Sequence, residues 1–172
     1  FSKKKRVISL ISTINLDKLK KLTKNKNIVR VTPLPPIEIK KGPIVIYPPN
    51  KFVKNLFKHL GEVVEIKNEE LSNKFWATAS IMAAYYEILN VSANWLIKKG
   101  IKKNIANKYI SELFLSLSQD AVNKKSQGFK KLVADSQTPK GLNMQVLNEL
   151  KRGRFYSKFI KAMDNINRRV SN

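Results

Sequence analysis

QTPKGLNMQVLNELKRGRF, residues 137–155, is a loop that feeds straight into a helix. Thr138 suits a helix N-cap or a turn. Pro139 presets φ and has no backbone N–H to donate, and Gly141 permits a tight backbone. Leu142, Val146 and Leu150 then recur at helical spacing, and Gly153 supplies a stop. A helix that starts in this way leaves backbone N–H groups unpaired, and these can hold an anion such as a carboxylate. By pattern alone the same stretch also reads as a helix–turn–helix connection with no ligand.

Around this stretch, residues 68–172 contain no convincing strand. Glu69 and Glu70 suit a positive helix N-terminus. A long helix is expected from there to about Lys99, ended by Gly100. Leu71, Phe75, Met82, Tyr85, Leu89 and Leu96 lie along one side of it. Trp76, Ile81, Ile88, Val91 and Trp95 cover the others, so this helix is apolar nearly all round and needs burial nearly all round. A domain of about a hundred residues cannot easily enclose a helix of about thirty, and a second copy of the chain is the simplest cover. Further helices are expected over residues 103–124, with Ile105, Tyr109, Leu113, Leu117 and Ala121 in register, and over 129–133, 143–152 and 155–170.

Residues 1–67 alternate differently. Residues 7–12, 28–31, 44–47 and 63–66 are short apolar runs of strand character. Between them, Asn15 can cap a helix lined by Leu16, Leu19 and Leu22. Residues 51–60 place Phe52, Leu56 and Leu60 on one helix face before Gly61. Residues 32–36 hold Pro33, Pro35 and Pro36 and are expected to be neither helix nor central strand. Strand–helix alternation with short loops points to part of an open sheet with covering helices. No Gly-x-Gly-x-x-Gly turn occurs here, so the pyrophosphate grip of a dinucleotide site is not encoded in this stretch.

Composition narrows the chemistry. The chain has 172 residues, no cysteine and one histidine, His59. That excludes disulfides, thiol catalysis and cysteine-based metal sites, and leaves no basis for a histidine metal cluster or a Ser-His-Asp triad. No metal site is expected. No apolar run is long enough to span a bilayer, so no membrane role is expected. The net charge is +22. A positive field of that size attracts polyanions, but the lysines are spread along the chain beside apolar residues, as on solvated helix faces. No arginine-rich arm or aromatic stacking motif accompanies them, and no specific nucleic-acid partner is expected. The chain starts at Phe1 rather than methionine and is expected to be part of a longer cytoplasmic protein.

The opening stretch resembles the signature of pyrroline-5-carboxylate reductases, in which a Ser-Pro-Gly-Gly-x-Thr turn opens a helix that runs through a Leu-Glu pair to Gly-Gly-Phe. The matching residues are Thr138, Pro139, Lys140, Gly141, Leu142 and Asn143, then Leu147, Leu150, Gly153 and Phe155. Three segments resemble the same family in the same order. Val7-Ile8-Ser9 is similar to its strand VIS, Val29-Arg30-Val31-Thr32-Pro33 to VRVMP, and Leu60-Gly61-Glu62-Val63-Val64 to LGEVV. The resemblance implies an α/β segment over residues 1–67, the C-terminal part of a Rossmann-like dinucleotide-binding domain. An all-helical dimerisation and substrate domain over residues 68–172 follows it. It further implies a homodimer, or a higher oligomer, whose active sites borrow from both subunits. The implied reaction, a step of proline biosynthesis, reduces a cyclic imine to proline with NADPH or NADH, the cofactor site being incomplete in this chain.

Site residues follow from the same resemblance. The family turn's Ser and final Thr grip the substrate carboxylate and partner the ring nitrogen; they fall on Thr138 and Asn143. Asn143 is thereby the catalytic candidate, although an amide is a poor proton donor. Thr138, Lys140 and Gly141, with Thr78 and Ser80, are the substrate-binding candidates. Thr32, Pro33 and Leu34 are the cofactor-binding candidates. Lys140 can pair with a carboxylate or simply face solvent, and Thr78 and Ser80 can equally be small residues of a packed helix. Two departures weigh against ordinary activity. Leu34 stands where the family's Met-Pro-Asn-Thr-Pro turn has Asn. Thr78-Ala79-Ser80-Ile81-Met82-Ala83 stands for Ser-Gly-Ser-Gly-Pro-Ala, which is expected to turn that loop into plain helix. A catalytically silent dimeric relative is therefore the first alternative, and a basic protein binding nucleic acid non-specifically is the second.

Overall fold

The structure, a computed structural model, describes residues 5–171. It divides into two compact units, one holding the residues up to Ser80 together with Met163 onward, the other Ile81–Ala162.

In the first unit β1 (Val7–Ser9), β2 (Ile28–Thr32), β3 (Pro43–Tyr47) and β4 (Glu62–Glu65) form one four-stranded sheet in sequence order. β1 and β2 are parallel, β2 and β3 antiparallel, and β3 and β4 parallel. Two β–α–β units thus meet at an antiparallel seam. α1 (Leu16–Thr23) links the first pair and α2 (Lys51–Phe57) the second. Side chains alternate along β2, so the two helices cover opposite faces. Leu16 and Leu19 of α1 pack with Ile28. Val53 of α2 packs with Val29, Val31, Ile44 and Ile46.

Asn15 caps α1 as expected, and α2 starts at Lys51, where its helix was expected, behind a cap that was not foreseen. Asn15 Oδ1 accepts from Lys18 N at 2.9 Å, and Asn50 Oδ1 accepts from Val53 N at 3.1 Å. Their apolar faces depart from expectation. Leu22, Phe52 and Leu56 are exposed, while Val53 is fully buried. α2 ends at Phe57 after two turns, so only the side of it that carries Val53 reaches the sheet. The proline segment also departs from expectation. Thr32 ends β2, and residues Pro35–Ile39 form a 3-10 turn. Pro35 and Pro36 occupy its first positions, where no backbone N–H is required.

Glu65 clips α2 to β4. Its carboxylate accepts from Lys54 Nζ at 2.8 Å and from Asn50 N at 3.2 Å. The Lys54 hydrogen bond, then its charge and the Asn50 N–H, hold the Glu65 carboxyl below its ordinary value against the opposing effect of burial. A lowered folded-state value stabilises the fold above the ordinary carboxylate range, and this contribution is lost as pH falls through the folded value. Glu65→Gln is expected to cost less than about 1 kcal/mol at neutral pH, because the pair is partly exposed. That difference is expected to vanish in acid, which denaturant titrations of both proteins at two pH values would check.

Beyond the sheet the described residues are helical. α3 (Glu70–Ala79) belongs to the first unit. α4 (Met82–Lys98), α5 (Lys103–Asn123), α6 (Phe129–Asp135) and α7 (Leu142–Arg152) belong to the second, and α8 (Phe155–Ser171) runs through Ala162 into the first. The single helix expected over residues 69–99 is in fact two, broken at Ser80 and Ile81. The expectation that the loop becomes plain helix therefore fails. Ser80 Oγ bonds the Ala77 carbonyl at 2.7 Å, and the Ser80 N–H bonds Trp76 O, closing α3 before α4 begins. α4 ends as expected at Gly100, whose φ of 92° lets Ile101 N reach the Leu96 carbonyl at 3.1 Å.

α4 and α5 form a hairpin whose buried residues are Ala93, Ala106 and Ile110. Tyr85 meets Phe114 edge to face at 6.0 Å. The row in register along α5 is not covered within one chain, with Ile105, Tyr109, Leu113 and Leu117 exposed. Tyr86, Val91 and Trp95 of α4 are exposed too, so the aromatic pair Tyr85-Tyr86 is not core within one subunit. No described residue of α6, α7 or α8 is buried, although each carries large apolar side chains.

Candidate functional site

The substrate-facing candidates of the second unit sit in one turn. Gly141 N donates to the Thr138 carbonyl at 2.8 Å, closing a β-turn with Pro139 and Lys140 at its centre. Proline suits the first central position, and the second requires positive φ. Lys140 supplies it, at φ 59°, although a side chain there is strained. Thr138 is thus the first residue of the turn, and Gly141, not Thr138, occupies the N-cap position of α7. Gly141 is required for another reason. A Cβ there would lie 2.2 Å from Thr138 Oγ1 and 2.9 Å from the Thr138 carbonyl. The glycine therefore lets the threonine hydroxyl lie against the start of the helix.

No side chain caps α7. Its first N–H groups, the Thr138 hydroxyl and the Lys140 ammonium are together suited to a carboxylate. Asn143 lies in the first turn of α7, where its Nδ2 donates to the Ser136 carbonyl at 2.9 Å. That bond ties the loop to the helix and engages an amide donor the sequence reading assigned to chemistry. At the far end α7 stops after Arg152, but Gly153 has φ −70° and Arg154 carries the left-handed conformation, at 57°. The stop expected of Gly153 is thus made by its neighbour.

The remaining candidates lie in the first unit. Thr32, Pro33 and Leu34 are half-buried and run from the end of β2 to the 3-10 turn. Thr78 and Ser80 lie at the end of α3. Their hydroxyls bond backbone carbonyls of their own helix, Thr78 Oγ1 to Lys74 O at 3.0 Å and Ser80 Oγ to Ala77 O. The backbone thus already holds both as donors.

The first unit also contains a polar cavity that sequence reasoning missed. Arg30 projects from β2 to the α1 face, with its side chain only 4% exposed. Its Nη1 pairs with Glu69 Oε1, and its Nη2 donates to the Ser12 carbonyl at 2.7 Å. The same Glu69 oxygen accepts from Leu16 N at 2.7 Å, at the N-terminus of α1. Glu69, read from sequence only as a helix-start residue, therefore binds a strand and a helix of the sheet. Trp76 stacks against the guanidinium, its ring centroid 5.2 Å from Arg30 Cζ. The cavity beside them has a volume of about 350 Å³. The signal was present in IVRVT, where a single arginine interrupts an apolar run and must find a carboxylate. His59 is exposed on the short segment after α2. Among the described residues no cluster of His, Cys, Asp or Glu could hold a metal, and no helix is long and apolar enough to cross a membrane.

Residues 69–172 match the family described as pyrroline-5-carboxylate reductase dimerisation. Solved structures that share the fold include three reductases. A Plasmodium falciparum pyrroline carboxylate reductase with NADP bound aligns with a TM-score of 0.81 at 21% identity, over 96% of this chain and 68% of its own. A pyrroline-5-carboxylate reductase from Coxiella burnetii aligns with a TM-score of 0.83 at 23% identity, over 96% and 64%. A 1-pyrroline-5-carboxylate reductase from Streptococcus pyogenes aligns with a TM-score of 0.80 at 21% identity, over 97% and 67%. The chain thus spans about two thirds of the length of these reductases. No curated protein sequence matches it.

Proposed function

The chain belongs to the pyrroline-5-carboxylate reductase family, and from that premise we propose that it is the dimer-forming and substrate-facing part of an NAD(P)H-dependent imine reductase. Residues 1–67 are the sheet portion of its nucleotide-binding domain, and residues 68–172 its helical dimerisation and substrate domain. The reaction is reduction of pyrroline-5-carboxylate, or a related cyclic imine acid, to the corresponding amino acid. The observation that carries this reading is the turn before α7. Its helix start has no side-chain cap, the Thr138 hydroxyl lies against Gly141, and Lys140 sits left-handed at the centre of the turn, a set of groups suited to a carboxylate.

A nicotinamide cofactor supplies the hydride when bound, and the protein's task is then to orient the imine and grip its carboxylate. NADP is bound in the Plasmodium relative. Here Thr32, Pro33 and Leu34, at the end of β2, are the residues proposed to approach the nicotinamide. The glycine-rich pyrophosphate turn is not encoded among these residues. Thr138, Lys140 and Gly141 are proposed to hold the carboxylate. Asn143 holds the turn through Ser136 and offers an amide toward the ring nitrogen. Thr78 and Ser80, at the end of α3, are proposed as further substrate-binding residues. The dimer is proposed to form through the helical region, because no described residue of α6, α7 or α8 is fully buried within one subunit.

A nicotinamide oxidation assay tests the proposal, with the chain joined to the glycine-rich segment of a related reductase and pyrroline-5-carboxylate as substrate. Thr138→Ala and Asn143→Ala are each expected to reduce kcat/KM by the equivalent of about 1–3 kcal/mol, the scale of one lost polar contact. Unchanged kcat/KM in both variants would remove the turn from the site. A joined protein that folds, dimerises and binds NADPH but shows no turnover would favour a catalytically silent relative, the reading supported by Leu34 in place of the family's asparagine.

A further inference from the structure

Lys20, Lys21, Lys24 and Lys26 line one concavity of about 630 Å³ at the C-terminal end of α1. Lys20 pairs with Asp17 at 3.4 Å, but Lys21, Lys24 and Lys26 pair with no carboxylate among the described residues. The backbone that carries them is firmly held. Thr23 Oγ1 donates to the Leu19 carbonyl at 2.8 Å and accepts from Asn25 N at 3.3 Å. Asn25 is fully buried. Its Nδ2 donates to the Lys5 carbonyl at 2.8 Å, and its Oδ1 accepts from Asn27 N at 2.7 Å. Lys24, at φ 51°, and Lys26 flank this anchor and are both exposed. The loop is thus fixed before any ligand arrives, which lowers the entropy lost on binding.

Like charges in one concavity repel, and a polyanion relieves that repulsion. The helix dipole favours cations at the end of α1, which accounts for Lys20 and Lys21 but not for Lys26, beyond the cap. The loop enters β2 at its N-terminal end. Open α/β sheets bind their ligands at the opposite, C-terminal ends of the strands, so these lysines are separate from Thr32, Pro33 and Leu34. A concave surface suits a strand of phosphates better than a flat bilayer, which would reach only the rim. No aromatic side chain is among the described residues that line it, so bases find no surface on which to stack.

We propose that this groove grips the phosphate chain of a single-stranded nucleic acid without reading its bases. The site lies wholly within the first unit, and the inference does not depend on the reductase reading.

Fluorescence anisotropy of labelled oligo-dT and oligo-dC with the full chain provides the test. The two are expected to bind alike. Lys24→Gln with Lys26→Gln removes two phosphate contacts. Each contact on a single strand contributes about 0.7 to the slope of log affinity against log salt, so the slope should fall by about 1.4. At about 0.1 M salt that is a loss of roughly 25-fold against the unmutated chain. Lys51→Gln with Lys58→Gln makes the same change of charge at the two ends of α2, on the other face of the sheet, and is expected to cost less than about threefold. Circular dichroism checks that both variants keep their fold. Equal losses in the two variants would mean that diffuse charge alone binds the oligonucleotide, and would overturn the proposal. So would a clear preference for one base, or no binding at this salt. Vesicles containing phosphatidylserine are the last arm. A loss that the Lys24, Lys26 variant shows on vesicles but not on oligonucleotides would assign these lysines to a membrane surface, and would overturn it too.

Discussion

Trp95→Asp is expected to convert the protein from dimer to monomer with its helical content unchanged. Trp95 is 60% exposed, and Val91, one helical turn before it, is 52% exposed. Only Ala93 of α4 is buried within the subunit. The substitution therefore removes little packing inside one chain. In a dimer that covers this face, it replaces a large aromatic anchor by a charge with no partner. Loss of a hot-spot aromatic costs about 2–4 kcal/mol, and burying an unpaired carboxylate adds to that. Dimerisation should weaken by at least about thirtyfold. Sedimentation velocity over a range of concentrations, with circular dichroism alongside, is the measurement. A well-folded monomer for the unmutated chain would defeat the dimer assignment, and a variant that dimerises as before would move the interface off this face of α4.

Arg30→Ala should be the most damaging single substitution within the sheet unit. The guanidinium holds three things at once: the Glu69 carboxylate, the Ser12 carbonyl and the Trp76 ring. Removing it leaves Glu69, only 25% exposed, without its cation, and a cavity beneath Trp76. Breaking a buried pair from one side costs about 3–5 kcal/mol, a large part of the stability of a domain this small. Arg30→Met combined with Glu69→Gln removes the charge from both sides and should recover part of the loss. Urea denaturation of the unmutated chain and the two variants decides this. A loss for Arg30→Ala below about 1 kcal/mol would mean that the pair behaves as a surface salt bridge.

The α/β half was legible because its signals are local. Asn15 and Asn50 stand before apolar-patterned helices, and each caps the one it precedes. The apolar runs of β2 and β3 have the length and β-branched content of buried strands, and they are buried. The helical half was legible in its element types but not in its faces. Periodicity shows that Ile105, Tyr109, Leu113 and Leu117 share a side of α5, but not which partner they meet, and one subunit leaves them exposed. In the site, Pro139 and Gly141 announced the turn. The commitment of Asn143 to Ser136 was not visible, because it depends on how the chain folds back on itself over a few residues.

What the sequence determined alone is the order and type of most elements and the family to which they belong. Those depend on spacing, capping residues and glycines, all properties of neighbouring positions. The tertiary structure alone decided the seam between β2 and β3, the break between α3 and α4, and the fate of Arg30. A strand does not carry the direction of its neighbour in its own composition. The break at Ser80 replaces the one long helix that an unbroken run of helix formers suggests. Arg30 and Glu69 are 39 positions apart, and only folding brings their charges together in a low-dielectric interior, where each is tolerated because the other is there.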